Sequence, residues 1–71
     1  MNVKIDTEYI KLDQLLKFSG IAYHGADAKE LILAGIVSVN EQPCTARGKK
    51  IFPGDKVFIE FDDEYVELVV E

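Results

Sequence analysis

The sequence predicts an α+β domain in which two short helices pack on a small, bent, mainly antiparallel sheet. Three observations carry that prediction, the first two being a pair of helical stripes, each closed by a glycine, and a later run of alternating β-branched segments separated by turn residues. The third is size. At 71 residues the chain has room for one domain, 1–71, with a thin core. Two such short helices cannot bury both apolar faces against each other alone, so the strands must supply the other wall.

Met1 to Ile10 alternates weakly, Val3 and Ile5 on one side and Lys4 and Asp6 on the other. That predicts a short strand, a turn near Asp6-Thr7 and a second extended piece at Tyr9-Ile10. Leu12, Leu15, Leu16 and Ser19 recur at i, i+3, i+4 and i+7, one face of a helix of about two and a half turns. Asp13 suits the positive end of its dipole, and Gly20 stands where a closing glycine is expected. A second helix, from about Ala26 to Ala34, buries Ala28, Leu31 and Ile32 and is closed by Gly35.

The strands follow. Val37 and Val39 flank Ser38 in an alternating segment broken by Asn40-Glu41-Gln42-Pro43, and another extended piece leads through Arg47-Gly48 to Ile51. Phe52-Pro53-Gly54-Asp55 has Pro at i+1 and Gly at i+2, the chemistry of a type II turn. Val57, Ile59 and Phe61 alternate with Phe58 and Glu60. Asp62-Asp63-Glu64 then turns the chain into Tyr65 to Val70, a last strand rich in β-branched residues.

A hydrophobic fraction of 48% with 30% charged residues is globular composition. The net charge of −5, taken globally, argues against a polyanionic ligand. Its distribution points the other way. From Val57 to Glu71 there are six acids and no base, so all eight Lys and Arg lie earlier. Between Cys44 and Lys56, Arg47, Lys49, Lys50 and Lys56 oppose Asp55 alone.

Several chemistries are excluded. Cys44 is the only cysteine and His24 the only histidine, so an intrachain disulfide and a four-ligand zinc site are both out, and no cofactor is expected. Ser19 and Ser38 have no base in sequence context, and Asp62-Asp63-Glu64 reads as a solvated turn, which predicts a non-catalytic role. Gly48-Lys49 fails as a phosphate loop, because Pro43 and Lys50 stand where glycine and Ser or Thr are required. The N-terminus lacks an apolar signal core, and the apolar stretch Leu31 to Val37 falls short of the ~20 residues that span a bilayer. A cytoplasmic protein with no membrane partner is the expectation.

Lys11-Leu12-Asp13-Gln14-Leu15-Leu16, Gly20-Ile21-Ala22, Ala28-Lys29-Glu30-Leu31-Ile32, Gly35-Ile36-Val37-Ser38-Val39-Asn40 and Gly54-Asp55-Lys56-Val57, in that order, resemble the S4-type RNA-binding domain. The helix-helix-strand core of that family is also called the αL motif. The likeness covers about residues 10–59 and leaves an acidic C-terminal strand, 60–71. Arg47-Gly48-Lys49-Lys50-Ile51 further looks like the small stand-alone bacterial members.

The resemblance implies docking on structured RNA, ribosomal or transfer RNA, through the helix pair and the following hairpin. It matches Lys11 to the basic residue that opens the first helix, and Lys29 to a basic position in the second. The chain departs from the family at His24-Gly25, where Ser-Arg is common, and at Glu30, which is often basic. The Arg47–Lys50 cluster is the expected replacement for the lost arginine. From the residues themselves, Gly25 and Ala26 open a helix whose free N–H groups favour a phosphate, with Lys29 one turn on. The expected RNA-binding set is therefore Lys11, Gly25, Ala26, Lys29, Arg47, Lys49 and Lys50.

Plainer readings stand beside these. Arg47, Lys49 and Lys50 can be read as charges that keep a strand edge soluble. Tyr23 has two readings, a ring stacked on a base and a ring buried against the core. Cys44 reads as a small apolar filler, His24 as a turn residue, and Lys17 as simply exposed. A rival function is a protein-interaction adaptor whose strand Tyr65 to Val70 or acidic C-terminal segment touches a basic partner, ribosomal or other.

Overall fold

Leu12, Leu15 and Leu16 are fully buried, as their spacing requires, in a computed structural model that describes residues 1–71. The order of elements is β1 (Asn2–Val3), β2 (Ile10–Lys11), α1 (Leu12–Phe18), α2 (Gly25–Leu33), β3 (Val37–Val39), β4 (Gln42–Pro43), β5 (Lys50–Ile51), β6 (Lys56–Glu60) and β7 (Tyr65–Val70). Five strands form one sheet in the order β1-β7-β6-β3-β4, and β2 with β5 forms a separate two-stranded ladder. Every pairing is antiparallel except β1 with β7. The α+β class expected from the sequence is the class observed.

Both helices end on glycine. Gly20 and Gly35 have φ of 84° and 79°, a left-handed backbone that costs a residue with a Cβ about 1–2 kcal/mol. Their N–H groups donate to Lys17 and Ile32 carbonyls at 3.1 and 3.2 Å. α1 is half a turn shorter than its stripe suggests: Ser19 is already the cap, its hydroxyl donating to the Leu16 carbonyl at 3.3 Å.

Strand alternation divides the large sheet into two faces. Val57 and Ile59 of β6, Leu68 and Val70 of β7, and Val37 and Val39 of β3 turn inward onto the helices, joined by Val3. The core holds 14 buried residues and no buried polar one. Each fully buried Leu, Ile or Val side chain contributes about 1.5–3 kcal/mol, so this single apolar layer carries the fold.

The tight turns set the remaining geometry. Asn40 and Glu41 connect β3 to β4 as a two-residue hairpin, with φ of 50° and 72°, the left-handed pair a type I′ turn demands. The sequence marks this stretch only as a break. The Asn40 amide then ties β3 to the next turn, its Oδ1 accepting from the Lys56 N–H and its Nδ2 donating to Asp55 Oδ1, both at 3.0 Å. Pro53-Gly54 forms the expected turn, closed by the Asp55 N–H to the Phe52 carbonyl at 3.0 Å. No helix is long and apolar enough to cross a membrane.

Candidate nucleic-acid interface

The smaller ladder positions the cations. β2 and β5 are two residues each, with Ile10 opposite Ile51 and Lys11 opposite Lys50. Ile51 is fully buried and Ile10 packs against the core, so the isoleucines anchor the ladder while both lysines face water. Helix α1 starts from this ladder without a side-chain cap. Backbone carbonyls of the basic segment do the capping instead: the Leu12 N–H donates to Lys49 O at 2.9 Å and the Asp13 N–H to Arg47 O at 3.1 Å. A turn through Arg47-Gly48, closed by the Lys49 N–H to Ala46 O at 3.1 Å, holds those carbonyls in place.

The consequence is electrostatic. Lys11, Arg47, Lys49 and Lys50 are brought to one exposed corner, beside the positive end of the α1 dipole. None of the side-chain hydrogen bonds in the chain is made by these four cations. Asp13, in the first turn of α1, has its Oδ1 engaged by the Gln14 N–H at 2.8 Å. Lys50 Nζ lies 4.8 Å from the centroid of Tyr9, whose ring in turn contacts Phe52 at 5.7 Å. These rings fix one ammonium of the corner. A depression of about 560 Å³ runs from Tyr9 and Lys11 past Gln14 to the exposed Phe18.

The other expected residues lie elsewhere. Gly25, Ala26 and Lys29 are exposed on α2, with no backbone pairing to the β2–β5 corner. The start of α2 is not a bare cradle of N–H groups. Asp27, its third residue, reaches back so that Oδ2 accepts the His24 N–H at 3.2 Å, placing a carboxylate where a phosphate is expected from the sequence. The signal is present in the sequence as an acid three residues after the cap. Glu30 adds a second acid, this one exposed, beside Lys29.

The hairpin that follows the helix pair also departs from expectation. Its tip is Asn40-Glu41 and it carries no base; the cations sit on the next segment, Arg47–Lys50. Tyr23 is 86% exposed, which removes the buried reading of its ring. Cys44 packs against the core, with Sγ 3.7 Å from the Ala46 carbonyl. Lys17 is exposed, and Lys56 lies on β6, away from the corner.

A family model described as the S4 domain matches residues 3–69, more of the chain than the motif core alone. The chain is also 41% identical over 58 residues to the probable ribosome maturation protein RlbA of Bacillus subtilis (strain 168), the matched segment covering 82% of each chain.

Proposed function

The chain belongs to the S4 domain family, and from that premise we propose that it is a non-catalytic RNA-binding domain that docks on folded ribosomal RNA through Lys11, Arg47, Lys49 and Lys50. Lys29, with the N–H groups of Gly25 and Ala26, serves as a second and weaker contact. One observation carries the reading: a chain with a net charge of −5 gathers four cations at one corner and holds them there by backbone pairing.

That arrangement suits a duplex or compact RNA. Folded RNA is recognised largely by shape, phosphates and 2′-hydroxyls, which calls for cations at fixed spacing rather than side chains that read base edges. The Lys11–Lys50 register and the two carbonyl caps fix that spacing before the ligand arrives, so little ordering is left to bind against. The similarity to a ribosome maturation protein supports ribosomal RNA over transfer RNA and a role during subunit assembly. A binder rather than an enzyme is favoured by Ser19, whose hydroxyl is engaged by its own helix, and by the position of His24 on another element.

Sucrose-gradient sedimentation of cell extracts tests this. The protein is expected to travel with ribosomal particles at low salt, and to be released by high salt or by nuclease. Co-migration with a protein partner that survives nuclease treatment, together with no RNA binding by the purified chain, would replace this reading with the adaptor.

A further inference from the structure

The large sheet has a second face, turned away from the helices. Lys56, Phe58 and Glu60 of β6 and Tyr65, Glu67 and Val69 of β7 lie on it, paired as Glu60 with Tyr65, Phe58 with Glu67 and Lys56 with Val69. The rings of Phe58 and Tyr65 meet at 5.7 Å with their planes inclined by 43°, and Tyr65 is 67% exposed. Beside them lies a depression of about 280 Å³ lined by Ser38, Glu41, Phe58, Glu60 and Tyr65. Its neighbour shares Glu41 and Phe58 and reaches Lys56 and Glu67.

We propose that this face docks a basic protein by seating one of its arginine side chains on the Phe58–Tyr65 rings, between the carboxylates of Glu41 and Glu60. A guanidinium is the group that fits. It is flat and weakly hydrated, it stacks on aromatic faces, and its edge matches a carboxylate through two parallel hydrogen bonds. Toward Glu67, Lys56 lines the neighbouring depression and offsets part of the acidic charge there. The depression that holds Glu60 and Tyr65 has no cation among its lining residues, Glu41 being its one acid shared with the Lys56 side, and the Asp62-Asp63-Glu64 turn adjoins it. That field repels phosphate, so the occupant is a protein and not RNA.

The site is independent of the cation corner, which is built from β2, β5 and the start of α1. The test is an NMR titration of the ¹⁵N-labelled chain with a short capped peptide of alternating arginine and glycine, and with its lysine counterpart. Amide shifts are expected at Glu41, Phe58, Glu60 and Tyr65 and their neighbours, with the arginine peptide bound the more tightly. Tyr65→Ala with Glu60→Gln should weaken it by about tenfold, the scale of one exposed cation–π contact plus one exposed ion pair. Both residues are exposed, and the spectrum of the variant reports directly that it is folded. Its affinity for RNA should not change.

Equal binding of the two peptides, shifts spread evenly over all acids, or no binding would overturn the proposal. So would the same amides moving on addition of an RNA hairpin. A dimer that disappears on Arg47→Lys would instead assign the face to a second copy of this chain, and would also overturn it. The peptide outcomes leave the RNA reading untouched; the RNA-hairpin outcome would also move the RNA contact to the sheet, and the dimer outcome would also engage Arg47 of the cation corner.

Discussion

Lys11 and Lys50 stand directly opposite each other in the β2–β5 ladder, two ammonium-bearing residues in a pairing only two residues long. Like charges so placed cost about 0.2–1 kcal/mol, and the start of α1 adds its own positive end. A polyanion turns that repulsion into attraction, which gives the arrangement its sense. Stability and binding are thereby set against each other at one residue.

Lys11→Glu should separate the two. The new carboxylate faces Lys50 and sits at the start of α1, so stability is expected to rise by about 0.5–1 kcal/mol. RNA affinity should fall by roughly tenfold or more, since one phosphate contact becomes a repulsion. Urea denaturation and filter binding at one salt concentration measure both. A variant that loses stability along with affinity would show that Lys11 holds the fold rather than the ligand.

Four cations acting on phosphates fix the salt response. The log–log slope of affinity against salt should be about −3 to −4 for the native chain, and about −2 for Lys49→Glu with Lys50→Glu. Lys29→Glu, on the other helix, should change the slope by less than either lysine of the corner. An equal change would make α2 a full part of the interface despite the carboxylate of Asp27.

What can be read from the sequence follows the range of each interaction. Gly20, Gly35 and Pro53-Gly54 act within a few residues, so the helix ends and the type II turn are legible. Val57, Ile59, Leu68 and Val70 alternate over enough positions to mark which face of the sheet is buried. The β2–β5 ladder is not legible. Each strand has two residues and no alternation, and Lys11 meets Lys50 only through the closed fold. The basic segment is visible as charge, but its role as the cap of α1 runs through the Arg47 and Lys49 carbonyls, which carry no side-chain signal. The start of α2 is half legible: Gly25-Ala26 has the composition of an anion site, and the bond by which the Asp27 carboxylate accepts the His24 N–H beside it shows only in the folded turn.

Asn40 is predicted to be the most sensitive exposed position. Its side chain makes hydrogen bonds to Lys56 and Asp55, and its backbone is left-handed. Asn40→Ala should cost about 2–3 kcal/mol, from lost hydrogen bonds and an unfavourable φ. Asn40→Gly, which relieves only the backbone term, should recover about 1 kcal/mol of that. Thermal denaturation of the two variants checks the order, and equal losses would show that the amide bonds alone matter.

Glu41 completes the hairpin at φ of 72°, where a glycine would sit more easily. The left-handed penalty exceeds the entropy that glycine brings to the unfolded chain, so Glu41→Gly should stabilise by about 0.5–1 kcal/mol. For a domain of this size that is a rise of roughly 3–6 °C in Tm. The same change removes a carboxylate from the proposed arginine seat, so peptide affinity should fall by roughly two- to fivefold. Glu41→Gln divides these effects: it keeps the strained backbone and leaves Tm near native, yet weakens the peptide to the same degree. A Glu41→Gly variant that melts lower than the native chain would mean the turn is not the left-handed pair described. A Glu41→Gln variant that binds the arginine peptide as tightly as before would place the guanidinium elsewhere on the sheet.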